Sequence, residues 1–168
     1  MQDFTIAVLV QNKFGVLNRV TSLFRRRRFN ISSLTVSETE SPDYSRITVS
    51  STGEDAMKNQ LVDQLYKLSE VVSITELHDS ESISCELLLI KMRNTPETRE
   101  DIRAAAEAFG ARTVDYTRDA MMFQVTDDSH RIDRFIDLMR DYTILEICRT
   151  GVVALERGSK TIIHNDMK

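Results

Sequence analysis

A short polar loop between the first predicted strand and the first predicted helix has the residue types that can bind an amino acid. It reads Asn12-Lys13-Phe14-Gly15, and the N–H groups that open the following helix attract a carboxylate. An Asn side chain can accept a hydrogen bond from an ammonium group and donate one to a carboxylate. Gly15 lets a ligand approach the backbone closely. Spacing alone also permits a simpler role for each Asn, as a turn or cap residue.

A second asparagine, Asn30, opens the next β-rich run and is followed by Ile31. Aliphatic residues beside both asparagines could contact a small apolar side chain. The pattern leaves open whether Asn30 meets the loop within one chain or whether a partner chain supplies the proximity. The candidate effector-binding residues are Asn12, Gly15, Val16, Leu17, Asn30 and Ile31.

Other chemistry finds little support in the sequence. The five glycines are scattered, so no phosphate-binding loop is predicted. The histidines, His78, His130 and His164, are far apart, and no metal site or general base is expected. No G-x-S-x-G motif occurs, and the acidic pairs flank predicted helix starts, where negative charge favours the helix dipole. We therefore predict no catalytic residue, no metal ligand and no enzymatic activity in this chain.

The hydrophobic pattern predicts the elements that position the loop. Residues 3–11 are apolar on both faces, which is typical of a central strand. Apolar residues then follow helical spacing from Val16 to Phe24. Two β-rich runs, a helix from Glu54 and a strand ending at His78 complete the order β-α-β-β-α-β.

The same order is predicted again after a polar linker. A doubly apolar strand, a helix that ends before Gly110, two strands, a helix capped by Ser129 and a last strand bent at Gly151 follow one another. The predicted fold class is therefore α+β, with two ferredoxin-like domains in tandem. The predicted boundaries are 1–78 for the first domain, 79–82 for the linker, 83–158 for the second domain and 159–168 for a tail.

Composition narrows the class of protein further. The formal net charge is -4 and neither half is basic, which argues against a general nucleic-acid binder. No apolar run could cross a bilayer and no secretory signal is evident, so a cytoplasmic location is expected. Cys85 and Cys148 lie in strand-like stretches and are predicted to be buried thiols. The run Arg25–Arg28 follows a helix end, where cations interact favourably with exposed carbonyls.

Several segments resemble a known family. "VLVQNKFGVLNRVTSLF", "FNISSLTV" and "SRITV" are similar to the ACT domain of the small, regulatory subunit of acetohydroxyacid synthase, also called acetolactate synthase. "ELLLIKMR", "FGARTVDYT" and "EICRTGVVALERG" resemble the C-terminal domain of that subunit. One residue departs from the family pattern: Arg28 stands where glycine is usual, and a left-handed helix cap there costs about 1–2 kcal/mol for a non-glycine residue.

The resemblance implies a noncatalytic subunit that activates the catalytic large subunit in branched-chain amino-acid biosynthesis. It also implies feedback inhibition by valine or another branched-chain amino acid. Thiamine diphosphate, magnesium and FAD are expected in the large subunit, and no cofactor is expected in this chain. The effector site is expected between two ACT domains of a homodimer, with Asn12, Gly15, Val16 and Leu17 from one chain and Asn30 and Ile31 from the other.

Two alternatives remain. A stand-alone ACT-type amino-acid sensor acting on another protein would use the first half of the chain but would not explain the second half. An RNA-binding module shares the β-α-β-β-α-β order, but it needs aromatic side chains on its central strands, and here only Phe4 is available.

Overall fold

The computed structural model describes residues 2–163 and divides the chain into two compact units. The first contains Met1–Ser84 and Val152–Lys168, and the second contains Cys85–Gly151. These units end at different residues from the predicted domains, because the segment from Val152 onward lies with the first unit. The predicted tail is described only to residue 163, so His164 lies outside the described residues.

The first unit has the predicted order β-α-β-β-α-β. Its strands form one antiparallel sheet in the order β2-β3-β1-β4. The elements are β1 (Gln2–Gln11), α1 (Val16–Arg26), β2 (Ile31–Glu38), β3 (Tyr44–Gly53), α2 (Asp55–Leu65) and β4 (Val71–Leu77).

The second unit repeats that order, with the sheet order β6-β7-β5-β8. Its elements are β5 (Ser82–Arg93), which begins in the first unit, α3 (Arg99–Ala108), β6 (Arg112–Tyr116), β7 (Ala120–Asp127), α4 (Ser129–Met139) and β8 (Ile144–Arg149). The prediction of an α+β chain with two tandem ferredoxin-like domains is therefore confirmed.

Strand β1 is central, as its doubly apolar pattern predicts. Ile6 pairs with Val49 and Val8 with Ile47, and all four belong to the buried core under α1 and α2. Phe4 also belongs to this core and contacts Phe29 edge to face, with ring centroids 5.7 Å apart. Burial of these apolar side chains is the main favourable contribution to the stability of the unit.

The segment that begins at Val152 packs on the opposite face of the first sheet. A short strand, β9 (Val153–Glu156), follows Gly151, and Val152 and Ala154 are buried against Ala7 and Leu77. Arg46 holds this segment by donating from Nη2 to the carbonyl oxygen of Ala154 at 2.8 Å.

Helix α1 ends in a left-handed residue at the position where the family usually has glycine. Arg28 has a φ of +59°. The N–H of Phe29 donates to the carbonyl of Phe24 and that of Arg28 to the carbonyl of Arg25. These two bonds define a Schellman motif, and the contact between the rings of Phe24 and Phe29, 6.3 Å apart, is its usual hydrophobic closure.

Two predicted local features are wrong. Ser129 does not cap α4; it is the first residue of that helix, and Asp128 caps it by accepting from the N–H of Arg131 at 2.9 Å. The predicted last strand is not one bent strand, because Gly151 adopts a φ of +82° and separates β8 from β9.

The prediction of two buried thiols is also wrong. Cys148 is exposed and Cys85 is half-buried. Cys148 lies on β8, an edge strand whose side chains are mostly exposed, so apolar neighbours in sequence do not imply burial there. Among residues 2–163, no helix combines the length and the apolar composition that a membrane span requires.

Candidate functional site

Asn12 holds the corner between β1 and α1 by hydrogen bonds to the end of β2 and the loop that follows it. Its backbone N–H donates to the carbonyl of Asp43 at 2.7 Å. Its side-chain Nδ2 donates to Oε1 of Glu38 and to the carbonyl of Pro42, both at 3.0 Å. Both amide hydrogens are therefore used within the chain. Asn12 Oδ1 has no donor among the described residues, so this side chain can offer a ligand an acceptor.

Helix α1 begins without any side chain that neutralises its N-terminus. Gly15 is the N-cap residue with a φ of +81°, no side chain accepts from the first turn, and the first turn contains no acidic residue. A Cβ on Gly15 would meet no atom within 4 Å. Glycine is thus required for the backbone conformation and not because of a close neighbour. No side chain of the first turn competes with a carboxylate for the N–H groups of the helix start.

The aliphatic candidates beside this corner differ in what they can contact. Val16 is buried in the core, so only its backbone faces the corner. Leu17 is 41% exposed, and Phe14 is fully exposed. Leu17 is therefore the residue of the predicted set that can contact an apolar ligand group from this side, and Phe14 adds an unpredicted apolar surface next to it.

Asn30 and Ile31 lie at the other end of the sheet. Ile31 pairs with Ser51, which is also the partner of Phe4 near the start of β1. The carbonyl of Asn30 accepts from Ser51 Oγ at 2.7 Å, and its side chain has no partner among the described residues. Since Asn12 is bonded to Glu38, the last residue of β2, the two halves of the predicted set are separated by the strand length, about 23 Å. One chain does not bring them together.

The second unit has a corner of the same kind after β5, but its groups are already paired. Asn94 is 5% exposed; its Nδ2 donates to the carbonyl of Thr117 at 2.7 Å and its Oδ1 accepts from Nε of Arg99 at 2.8 Å. The first turn of α3 contains Glu100 and Asp101. The oxygen of this buried Asn already has a donor in Arg99, and a carboxylate would meet two like charges.

An ionic network around one buried carboxylate in the second unit was not predicted from the sequence. Glu86, 4% exposed, accepts from the guanidinium of Arg149 and from Ser129 Oγ. Arg149 also donates to Asp133 at 2.7 Å. Burial lowers the pKa of Arg149, but its bonds to Glu86 and Asp133 outweigh this and leave that pKa raised. The signal in the sequence was a single Glu inside an apolar strand.

The described residues show no other reactive cluster. Within residues 2–163, no group of three His, Cys, Asp or Glu side chains is placed to hold a metal ion. His78 lies at a strand end with Nδ1 4.0 Å from Glu76, and His130 is exposed. The open corner at Asn12 is therefore the best candidate site in the part of the chain that the structure describes.

Both units match models of known protein families. A model described as "AHAS small subunit-like ACT domain" matches residues 6–73, and one described as "Small subunit of acetolactate synthase" matches residues 85–158. The two matches together cover most of the chain.

Individual relatives agree over nearly the whole length. A probable acetolactate synthase small subunit of Archaeoglobus fulgidus is 49% identical over 93% of this chain and 98% of its own. The acetolactate synthase small subunit of Bacillus subtilis is 42% identical over 92% and 91%. The crystal structure of the acetolactate synthase small subunit from Thermotoga maritima has a TM-score of 0.86 at 35% identity, covering 95% of this chain and 100% of that one.

Proposed function

Because the chain belongs to the family of acetolactate synthase small subunits, we propose that it activates the catalytic large subunit and confers feedback inhibition by a branched-chain amino acid. Catalysis, with thiamine diphosphate, magnesium and FAD, belongs to the large subunit in this proposal. The observation that carries the effector part is the open corner at Asn12, which has an uncapped helix N-terminus and a free amide oxygen. The cytoplasmic location expected from the sequence stays a prediction.

The corner fits the two charged groups of an amino acid. The N–H groups at the start of α1 receive the carboxylate, because helix dipole and unpaired donors both favour an anion there. Asn12 Oδ1 accepts from the ammonium group. Leu17 provides apolar surface for an aliphatic side chain. Valine, leucine and isoleucine differ by about 1–3 kcal/mol in such a pocket, and valine is our first candidate.

A second copy of the chain supplies the missing half of the site. Strand β2 is at the edge of the first sheet, and edge strands pair readily with another chain. When two β2 strands pair antiparallel, the first residue of one lies near the last residue of the other. Because Asn12 is bonded to Glu38 at the end of β2, this arrangement brings Asn12 of one chain close to Asn30 and Ile31 of the other. The homodimer therefore completes two equivalent sites.

The test is calorimetric titration of the chain, alone and with the large subunit, with valine, leucine and isoleucine. Asn30→Ala is the sharpest variant, because its side chain has no partner in the described residues and its loss removes about 1.5–3 kcal/mol of binding energy if it bonds the effector. We expect at least tenfold weaker binding. Asn59→Ala, an exposed Asn on α2, is the matched control and should bind like wild type.

Two results would contradict the proposal. Absence of binding of all three amino acids by wild type, with and without the large subunit, would remove the effector site. Unchanged large-subunit activity when this chain is added would remove the regulatory role. Activation of an unrelated protein instead would favour the stand-alone sensor.

A further inference from the structure

The two ends of the first unit have opposite charge. Arg25–Arg28 lie just before the start of β2, and we call this part of the first unit the basic end. All four arginines are exposed. None of their guanidinium groups has a hydrogen-bond or ion-pair partner among the described residues. Acidic side chains at this end include Asp3, which accepts from Thr52 Oγ1 at 2.6 Å, Glu54, and Asp55, which pairs with Lys58 at 3.3 Å. The four arginines therefore form a group of exposed positive charges without partners among the described residues.

At the other end of β2 lies the acidic end, defined by Glu38, Glu40 and Asp43. All three are exposed. Glu38 accepts from Asn12 Nδ2, whereas the carboxylates of Glu40 and Asp43 have no side-chain partner among the described residues. Lys13, also exposed, is the one cation in the adjoining loop. Three negative charges thus face one positive charge.

We infer that the basic end of one chain and the acidic end of a second copy form ion pairs across the dimer, and that these pairs hold the effector site together. This inference rests on the proposed antiparallel dimer, in which each end of β2 lies against the opposite end of its partner. The four arginines precede Asn30 by a few residues, and Glu38 is bonded to Asn12. The contact that joins the two halves of the site therefore also joins the two charged ends.

The twofold symmetry of the dimer doubles the effect. Each dimer contains two such contacts, because the same surface occurs on both chains. Single exposed ion pairs contribute little, but networks of several charges contribute more. Exposed charges are also screened by salt, with a Debye length of about 10 Å at 0.1 M. Dimerisation and effector binding should therefore weaken together as salt increases.

The experiment uses two charge-reversal variants of the full chain. The first is Arg27→Glu with Arg28→Asp, since Asp tolerates the left-handed conformation better than most residues. The second is Glu40→Lys with Asp43→Lys, which leaves Glu38 and its bond to Asn12 intact. Each variant alone places like charges at both contacts, whereas a mixture of the two forms a heterodimer whose contacts are both complementary. Arg118→Glu with Arg134→Glu, in the second unit, is the control for the change in net charge.

Dimer dissociation is measured by fluorescence-detected sedimentation at about 0.05 M and 0.5 M salt, with valine titrations on the same samples. We expect each charge-reversal variant to dimerise about tenfold more weakly at low salt, the mixture to recover to within about threefold of wild type, and the control to match wild type. A mixture no tighter than its components, or wild-type dimerisation independent of salt, would overturn the inference.

The proposed function can fail or survive separately. Valine binding by a wild-type dimer that ignores salt and both charge reversals would overturn the ionic contact and leave the effector site standing. A wild-type chain that stays monomeric and binds no branched-chain amino acid would overturn both.

Discussion

The corners after β1 and β5 are built alike but offer different chemistry. In each corner, the backbone N–H of an Asn donates to the carbonyl of an Asp. The Nδ2 of the same Asn donates to a backbone carbonyl in the loop between the two following strands, β2 and β3 in the first unit and β6 and β7 in the second. The side-chain oxygen of Asn94 accepts a hydrogen bond from Arg99, and two acidic residues lie in the first turn of α3. Asn12 keeps its oxygen free, and α1 has neither an acid nor a cap there. Repetition of the fold therefore does not repeat the site.

Equivalent positions in β1 and β5, eight residues before the corner Asn, hold residues of different kinds. Phe4 in β1 belongs to an aromatic cluster with Phe29, whereas Glu86 in β5 belongs to the ionic network with Arg149. Both residues are buried. Truncation of one ring in an aromatic cluster leaves a cavity. Removal of the cation beside a buried carboxylate leaves an unpaired charge instead.

The largest predicted effect concerns this ionic network. Arg149→Ala should lower the free energy of unfolding of the second unit by about 3–5 kcal/mol, because Glu86 stays buried without its cation. Replacing both partners, as Glu86→Leu with Arg149→Leu, should lower the free energy of unfolding of the second unit far less, or raise it, because no unpaired charge is left. Urea unfolding followed by hydrogen exchange distinguishes the two units. A double variant as unstable as Arg149→Ala would contradict this account.

A smaller effect is predicted at the two helix exits, which share one geometry. Gly110, with a φ of +67°, occupies in α3 the position that Arg28 occupies in α1, and the N–H of Ala111 donates to the carbonyl of Ala106 as Phe29 does to Phe24. Arg28→Gly should therefore stabilise the first unit by about 1 kcal/mol, since left-handed strain exceeds the entropic cost of glycine.

The reciprocal change is the control for that prediction. Gly110→Ala should destabilise the second unit by about 1–2 kcal/mol. Both are read from thermal or urea unfolding. Destabilisation by Arg28→Gly would show that the arginine side chain makes a stabilising contact that outweighs its backbone strain.

The smallest effect tests the comparison of the corners directly. Asn18→Asp places an acid in the first turn of α1, as Asp101 does in α3. The acid should stabilise the helix by about 0.3–1 kcal/mol and weaken binding of the effector carboxylate a few-fold, because like charges near 4 Å repel by about 1 kcal/mol in water. Calorimetry and thermal unfolding measure the two opposite shifts. Asn18→Gln, which adds no charge, should change neither.

The sequence predicted the repeated fold because hydrophobic periodicity reports local burial. It placed β1 at the centre, whereas Arg28 was singled out by the family resemblance, because glycine is usual at that helix exit. It could not show that Glu38 and Pro42 use both amide hydrogens of Asn12, since these contacts depend on the pairing of distant strands. Exposure of Cys148 escaped for the same reason, because an edge strand and a central strand can have similar residues.

The short strand β9 is synthesised much later than the rest of the first unit. Residues up to Leu77 leave the ribosome long before Val152 does, at about 5–20 residues per second, so the helix-packed core can form early. The opposite face, with Ala7 and Leu77, receives Val152 and Ala154 only after the whole second unit has been synthesised. A ribosome that stalls after Gly151 therefore leaves an apolar sheet face open to chaperones, and packing of Val152 and Ala154 on that face is a late folding step of the first unit.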